Sequence, residues 1–239
     1  AFKDANYGFI GTADGRVLAG KPPAFPTAIH TSPTGSHHTA IAVDNSGAVW
    51  VGGGNGKGEP VLFRQKAGQL AFDAVKTSNT QLNLVLKGDI TALFYDSSTD
   101  RVYTATNAGY LGGFDNRADI RTVRYTANVA WRGIAGAQGH VVVVGGKNGG
   151  SFISERSGPS GSFAEAKRPA ALPLHAVATD GAGNFVAVGK QGTILSKTNN
   201  TQWIDQESGV LDDLYAVTVQ SGEFCAAGER GVVLRRVDP

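Results

Sequence analysis

The chain has 239 residues, of which 41% are hydrophobic, 18% are charged and 33 are glycine. This composition is typical of a turn-rich globular protein with a real core, and it predicts one domain over residues 1–239. The net charge is only +2, far from the basicity of proteins that coat nucleic acids, so a nucleic acid is not the expected partner. Any electrostatic partner must bind a local patch.

The cysteine content and the two ends limit the other classes. The single cysteine, Cys225, excludes an internal disulfide and a cysteine-based zinc cluster, and we expect it to be a small buried residue of a second strand. No apolar run reaches the roughly 18 residues of a membrane span, and the N-terminus lacks the regions of a signal peptide. The chain contains no methionine, which we interpret as a trimmed mature form or a domain of a longer protein.

Six copies of one pattern follow each other along the chain. Each copy has an apolar strand, a polar turn, a second strand rich in Val, Phe and Ala, a glycine turn and a third strand. The copies start with AFKDANYGFIGTADGRVL at Ala1, TAIAVDNSGAVWVGGG at Thr39, TALFYDSSTDRVYTAT at Thr91, RGIAGAQGHVVVVGGKNGG at Arg132, LHAVATDGAGNFVAVGKQGTIL at Leu174 and LYAVTVQSGEFCAAGERGVVL at Leu214. Their turn glycines, spaced by 39 to 53 residues, are Gly15, Gly56, Gly109, Gly149, Gly192 and Gly231. A period of about 40 residues is typical of propeller blades.

Two further features favour a propeller. No stretch keeps an apolar period of 3.6 residues over three turns, so we expect helices to be almost absent. The first strands carry a small residue at a repeated position, which allows blades to crowd around an axis: Ala40, Ala92, Gly133, Ala176 and Ala216. The predicted fold is therefore an all-β β-propeller of six blades. Because the first and last copies are each incomplete at the chain ends, seven blades remain an alternative if the termini are trimmed.

The copies also carry a family resemblance. The tandem pattern L-x-A-V, G-x-F-x-A-x-G and G-x-[IV]-L, best matched over residues 174–236 and 1–20, resembles the photosystem II stability and assembly factors and the wider set of bacterial neuraminidase repeat (BNR) propellers. The segment from Ser196 to Trp203 is similar to an eroded Asp-box, a structural turn of that superfamily. The resemblance implies an exported or membrane-surface propeller that assists assembly or binds partners.

Candidate binding residues come from the loops of one face. In a propeller, the turns between second and third strands lie on the same face as the connections that lead into each first strand, and loops on a rigid scaffold concentrate binding. The predicted binding residues are Lys57, Tyr110, Trp131, Arg132, Lys147, Lys190, Tyr215 and Arg230. The leading connections add His38, Asp89, His175 and Asp213. Four of the cations occupy equivalent turns, which predicts a positive field that attracts acidic partners.

The sequence favours a non-catalytic interaction module that binds a protein or an acidic ligand, with no metal and no cofactor. The segment Asp96–Asp100 is predicted to be a hairpin turn and not a calcium-binding loop, since it lacks the downstream bidentate acid that such a loop needs. The alternative is a glycan-binding or sialidase-like propeller, which would need converging arginines and two carboxylates about 5 to 10 Å apart. Three of its arginine candidates, Arg117, Arg121 and Arg124, lie in one outer segment. The partner, the compartment and the oligomeric state stay open.

Overall fold

The computed structural model describes residues 2–4, 7–21, 24–25, 27–33, 35–169, 171–198, 201–220 and 223–236. The structure is 57% strand and 3% helix; helical turns occur in these ranges at Lys190–Gly192 and Glu229–Gly231, both of the 3₁₀ type. The prediction of an all-β chain with very little helix is therefore confirmed. Among these residues, no helix has the length and apolar character needed to cross a membrane.

The chain divides into two compact units, Ala1–Ala127 and Asn128–Pro239. Unit 1 contains three four-stranded antiparallel sheets, each paired in chain order. Sheet 1 has β1 (Phe2–Asp4), β2 (Tyr7–Gly11), β3 (Arg16–Gly20) and β4 (Thr27–Thr31); sheet 2 has β5 (His37–Val43), β6 (Val49–Gly54), β7 (Pro60–Gln65) and β8 (Asp73–Ala74). A small hairpin of β9 (Ser78–Asn79) and β10 (Leu84–Val85) follows, and sheet 3 has β11 (Ile90–Asp96), β12 (Arg101–Thr106), β13 (Tyr110–Asp115) and β14 (Ile120–Tyr125).

Unit 2 continues the same arrangement. Sheet 4 has β15 (Val129–Ala137), β16 (His140–Lys147), β17 (Gly150–Arg156) and β18 (Ala164–Glu165); sheet 5 has β19 (Leu174–Thr179), β20 (Phe185–Gly189), β21 (Ile194–Lys197) and β22 (Ile204–Gln206). Sheet 6 has β23 (Leu214–Gln220), β24 (Glu223–Gly228) and β25 (Val233–Arg236). The six repeats of the sequence thus correspond to six successive meanders in the described ranges. The number of blades and the single-domain organisation stay predictions.

The predicted turn glycines have the backbone conformation that the pattern requires. All six lie between a second and a third strand with φ between 69° and 85°, a region that residues with a Cβ rarely adopt. In sheets 2 and 3 the turn between the first and second strands depends instead on aspartate: Asp44 accepts hydrogen bonds from the backbone N–H groups of Ser46 and Ala48, both at 3.0 Å. Asp96 likewise accepts from the backbone N–H of Ser98 at 3.0 Å, so a hairpin turn accounts for the Asp96–Asp100 segment.

Apolar clusters fill the space between neighbouring sheets of each unit. In unit 1, Trp50 and Leu62 of sheet 2 pack with Ile90 and Phe114 of sheet 3. In unit 2, Val142 and Ile153 of sheet 4 pack with residues of sheet 5, and a further cluster joins sheets 5 and 6. Since the second strands are rich in fully buried Val and Ala, they lie at the centre of these clusters.

Cys225 corrects one expectation. It lies in β24, the second strand of sheet 6, as predicted, but it is only half-buried. Its neighbours Phe224 and Ala226 are buried in the cluster between sheets 5 and 6. Because side chains alternate along a strand, Cys225 points to the other face of the sheet and away from that cluster.

A buried ionic network joins sheets 4 and 5. The carboxylate of Glu155 on β17 contacts Lys197 Nζ at 2.5 Å and His140 Nε2 at 3.4 Å, and it accepts a hydrogen bond from Trp203 Nε1. Burial alone would raise the pKa of Glu155, but these three partners lower it to about 2. Trp203 is the Trp of the Asp-box-like segment, whereas Asn199 and Asn200 of that segment lie outside the described residues.

Unit 1 contains a histidine pair of which His38 is buried and His30 is half-buried. Ser32 Oγ lies 3.0 Å from His30 Nε2 and 2.9 Å from His38 Nε2, and both rings pack against Phe63. Burial first, and then the neighbouring His30, lower the pKa of His38 to about 4. His38 is therefore neutral at physiological pH, and this residue, expected in a loop of the binding face, instead stabilises the core of unit 1.

Candidate functional site

Five sheets contain the same irregularity in their first strand. The pairing register shifts by one residue at Thr39, Thr91, Arg132, His175 and Tyr215, each of which is the extra residue of a β-bulge. Each bulge directly precedes the small residue predicted from the sequence. A bulge bends the strand and re-aims the side chain of the extra residue, and bulges are enriched next to functional sites.

The bulges bring two backbones unusually close together. In four sheets the second-strand residue opposite the bulge is a glycine: Gly53, Gly145, Gly189 and Gly228. A Cβ on Gly189 would collide with the carbonyl oxygen of Pro173 and would lie 2.7 Å from the Cα of Leu174. Gly189 itself has an extended backbone, with φ of −166°, so the space around it, and not its conformation, requires glycine.

In unit 2 the three bulge residues are Arg132, His175 and Tyr215, and they lie on three successive sheets. The rings of His175 and Tyr215 are stacked, with centroids 5.0 Å apart and planes inclined by 13°. Tyr215 is 51% exposed, whereas His175 is buried beneath it. This stack presents a rigid aromatic face to solvent, and such a face is typical of the energetic centres of protein interfaces.

The hydrogen bonds of His175 define its tautomer. Its Nδ1 lies 3.2 Å from the carbonyl oxygen of Leu214, which can only accept, so Nδ1 carries the proton. Burial, and then the charge of Arg132, lower the pKa of His175, so the ring is neutral at physiological pH. Nε2 has no hydrogen-bond partner among the described residues. The neutral ring therefore supports Tyr215 without adding a charge to the surface.

A carboxylate fixes the outer end of Tyr215. Its hydroxyl donates a hydrogen bond to Glu229 Oε1 at 2.9 Å. This bond, more than any other cause, raises the pKa of the Tyr215 hydroxyl. Glu229 belongs to the 3₁₀ turn of sheet 6, and its backbone N–H donates to the carbonyl of Asp213 at 2.8 Å. These two hydrogen bonds connect the second turn of sheet 6 to β23, the strand that carries the exposed ring, and to the residue before it.

The cations of unit 2 differ in how much of their charge reaches solvent. The charge of Arg132 lowers the pKa of His175, as does that of Lys190, and Arg132 also acts on Tyr215. Both cations therefore act electrostatically on the stacked rings. Both are exposed, and neither forms an ion pair within the described ranges. By contrast, Arg230 Nε donates to Asp212 Oδ1 at 2.6 Å, so its charge is largely compensated.

Lys147 lies at the end of β16, directly before the second turn of sheet 4. Its Nζ is 5.0 Å from the centroid of Phe152, and the guanidinium of Arg168 is 5.5 Å from the same ring. The three side chains line a pocket of about 440 Å³ together with Glu165. Arg168 was not predicted from the sequence, because it lies in the irregular segment after β18.

Trp131 requires a correction. It was predicted as a binding residue, but it is fully buried and packs against Phe152 with ring centroids 5.4 Å apart. The residue before a bulge keeps its place in the strand and faces the core, and only the following residue, Arg132, is re-aimed to the surface. Trp131 offers no surface to a partner in this structure.

The remaining candidates belong to unit 1. Lys57 is exposed in the second turn of sheet 2, where its backbone N–H donates to Asn55 Oδ1 at 2.9 Å. Tyr110 is half-buried, packs against the cluster between sheets 2 and 3, and has Tyr125 as its neighbour at 4.8 Å. Of the arginines weighed for a sialidase-like site, Arg121 and Arg124 lie on the outer strand β14, and Arg121 pairs with Asp115.

Within unit 2 the structure brings together four residues that form the candidate binding surface, defined here as Arg132, His175, Lys190 and Tyr215. Sequence reasoning placed Arg132, Lys190 and Tyr215 in the binding set and noted His175 only as part of a leading connection. A signal for all three bulge residues was present: each stands between a large apolar residue and a small one, in Trp-Arg-Gly, Leu-His-Ala and Leu-Tyr-Ala.

The successive meanders and the known structures together define the class of protein: the chain has an all-β, β-propeller fold. It is similar to a chain of the nidogen/laminin complex, with a TM-score of 0.67, 13% identity and 93% of this chain and 86% of that chain covered. It is similar to YCF48 bound to D1 peptide, with a TM-score of 0.71, 14% identity and coverage of 98% and 75%. U3-55K gives a TM-score of 0.69 at 11% identity, with coverage of 94% and 72%.

The likeness to YCF48 confirms, at the level of fold, the resemblance to photosystem II assembly factors. No protein-family model and no curated protein matches this chain in sequence. The BNR repeat and the exported location therefore stay predictions.

Proposed function

We propose that this chain is a non-catalytic interaction module that binds an acidic segment of a protein partner through the candidate binding surface of unit 2. The observation that carries the proposal is the stacked His175–Tyr215 pair, which holds an exposed aromatic ring in a fixed orientation beside two exposed cations. Aromatic and arginine side chains dominate the binding energy of protein interfaces.

The similar structures support this type of function. One is the nidogen/laminin complex and another is YCF48 with a bound D1 peptide; in both, a propeller takes part in a complex with a polypeptide. An acidic partner is favoured because Arg132 and Lys190 are exposed and form no ion pair within the described ranges, and exposed cations steer the approach of an acidic segment. The Glu229 carboxylate at the same surface is already bound to the Tyr215 hydroxyl.

The role of the two cations can be tested with the double variant Arg132→Ser and Lys190→Ser. A fluorescently labelled peptide of alternating Glu and Leu serves as the probe, and its association rate is measured by stopped flow at low and high salt. We expect association to slow roughly tenfold at low salt and to change little at high salt, because salt screens steering between exposed charges.

The matched control is the double variant Lys21→Ser and Lys66→Ser, which removes the same charge from two exposed positions of unit 1. It should associate nearly as fast as the wild type. If both double variants slow association equally, the net charge of the chain is responsible and the proposed surface is wrong.

The aromatic part of the surface is tested by Tyr215→Ala. This substitution should weaken the complex by about tenfold or more, as expected for a central aromatic residue.

A further inference from the structure

The pocket beside Lys147 is a second place in unit 2 where a ligand can bind. Its volume is about 440 Å³, and its walls come from the second turn of sheet 4, the start of β17 and the connection that leads to sheet 5. The residues that line it include none of the candidate binding surface. Pockets of this size hold small organic molecules, so the space exceeds that of a single ion.

An aromatic ring of nearly fixed position forms one side of this pocket. Phe152 is only 5% exposed, and its ring packs against the fully buried Trp131 with centroids 5.4 Å apart. Lys147 Nζ lies 5.0 Å and the guanidinium carbon of Arg168 lies 5.5 Å from the centroid of Phe152. A cation within about 6 Å of an aromatic centroid is attracted to the face of the ring. The ring therefore helps to hold two cations at one pocket.

The guanidinium of Arg168 is held in place without being saturated. Its Nε donates to the carbonyl oxygen of Ser151 at 3.1 Å and to Ser151 Oγ at 3.0 Å, and its Nη2 donates to the same carbonyl. Its Nη1 donates to Glu165 Oε1 at 3.2 Å. A guanidinium has five N–H donors, and these bonds use one on each nitrogen. The second N–H groups of Nη1 and Nη2 therefore stay available within the described residues.

The charges of the lining leave an excess of one cation. Lys147 forms no ion pair in the described part of the chain, and two cations against the single carboxylate of Glu165 leave one net positive charge. The side chain of Glu165 is 56% exposed, and an ion pair of that exposure is weak. Glu165 can therefore move away from Arg168 at little cost in free energy when another carboxylate enters.

We propose that this pocket binds a monocarboxylate that carries an apolar body. The carboxylate lies between Lys147 and Arg168, and it accepts hydrogen bonds from the ammonium and from the free N–H groups of the guanidinium. Charge-assisted bonds of this kind are the strong ones. The apolar body contacts the carbon atoms of Phe152, Pro169 and Ala171. A single negative charge matches the net charge of the lining, whereas a second one would be repelled by Glu165.

The probe for this site is N-acetyl-leucine, which combines one carboxylate with an apolar side chain. It is titrated into the 239-residue protein, and the backbone amide signals of Asn148, Gly150 and Ser151 are followed by NMR. We expect a Kd on the order of 1 mM, as is usual for so small a ligand. N-acetyl-leucinamide lacks the carboxylate and acetate lacks the apolar body, so each should bind about tenfold more weakly or not at all.

A further arm distinguishes the two sources of such a carboxylate. The acetylated peptide Ser-Gly-Ser-Leu, with a free carboxyl group, presents the same chemistry at the end of a polypeptide. Tighter binding of this peptide than of N-acetyl-leucine assigns the carboxylate to a protein C-terminus, and weaker binding assigns it to a free organic acid. Neither result depends on the candidate binding surface, so this test is independent of the proposed function.

Three protein variants test the charges of the pocket. Lys147→Gln should weaken binding of N-acetyl-leucine about tenfold, because it removes a charged donor. Lys167→Gln removes the same charge from an exposed residue outside the lining and should leave the Kd unchanged. Glu165→Gln should tighten binding about threefold, since it removes the competing carboxylate. The amide spectrum shows that each variant is folded.

Four results would overturn the proposal. These are no saturable change of the amide signals up to about 20 mM probe, far above the expected Kd, and binding of the amide or of acetate as tight as that of N-acetyl-leucine. The others are equal effects of Lys147→Gln and Lys167→Gln, and weaker binding by Glu165→Gln.

Discussion

Replacement of Gly189 by alanine is expected to lower the free energy of unfolding by about 3 kcal/mol. The added methyl group would collide with the carbonyl oxygen of Pro173 and crowd the Cα of Leu174. Both of these are backbone atoms, one in the strand that carries the His175 bulge and the other directly before it, so the clash cannot be relieved by a change of rotamer. Urea unfolding followed by circular dichroism would measure the loss.

Gly150 provides the matched control. It lies on a neighbouring sheet of unit 2, and a Cβ there would have its nearest neighbour at 3.6 Å, an ordinary contact. Gly150→Ala should change the free energy of unfolding by less than about 1 kcal/mol, because alanine in an unstrained position mainly restricts the unfolded chain. Equal effects of the two substitutions would mean that the backbones at the bulge are not as close as described.

Replacement of Glu155 by glutamine is expected to destabilise the protein by about 3 kcal/mol at neutral pH. The side chain of Lys197 is only 8% exposed and depends on this carboxylate for charge compensation. Removal of one member of a buried ion pair leaves the other charge without a partner, which costs more than the net value of the pair. Unfolding by urea at pH 7 would measure the difference.

The pH dependence provides an independent test of this network. Since the pKa of Glu155 in the folded state is lowered to about 2 from 4.5, its contribution is fully present above pH 4.5 and is lost as the pH falls towards 2. The stability of the wild type should therefore fall more steeply in this window than that of Glu155→Gln. Glu165→Gln removes an exposed carboxylate paired with Arg168. It should change the free energy of unfolding by less than about 1 kcal/mol and leave the shape of its pH dependence as in the wild type. Parallel pH curves for wild type and Glu155→Gln would contradict the assignment.

The parts of the fold that could be predicted from the sequence are those imposed by local geometry. Each second turn needs a residue with positive φ, so glycines such as Gly192 and Gly231 mark the turns directly. Runs rich in Val, Phe and Ala mark the second strands, where burial on both sides favours a continuous apolar run. The outer strands were harder to locate, because β8 and β18 are two residues long and pair through irregular segments.

The candidate binding surface could be predicted only in part. The exposure of Arg132 and the burial of Trp131 depend on a bulge, and a one-residue shift of register moves a side chain to the opposite face. The compensation of Arg230 by Asp212 depends on a contact across two connections of sheet 6. Neither follows from spacing in the sequence, since both arise from the way the strands meet in three dimensions.

The repeated bulges also determine how this surface can change. An extra residue has no register partner on the neighbouring strand, so a change of its side chain does not disturb a directly opposite cross-strand pair. Arg132, His175 and Tyr215 already show that a cation, an imidazole and a phenol are tolerated at equivalent positions of the same scaffold. Each of the five sheets with this bulge thus carries one position at which the side chain can change without altering the register of the strands, and a partner of different chemistry can be accommodated by substitutions at the exposed ones, Arg132 and Tyr215.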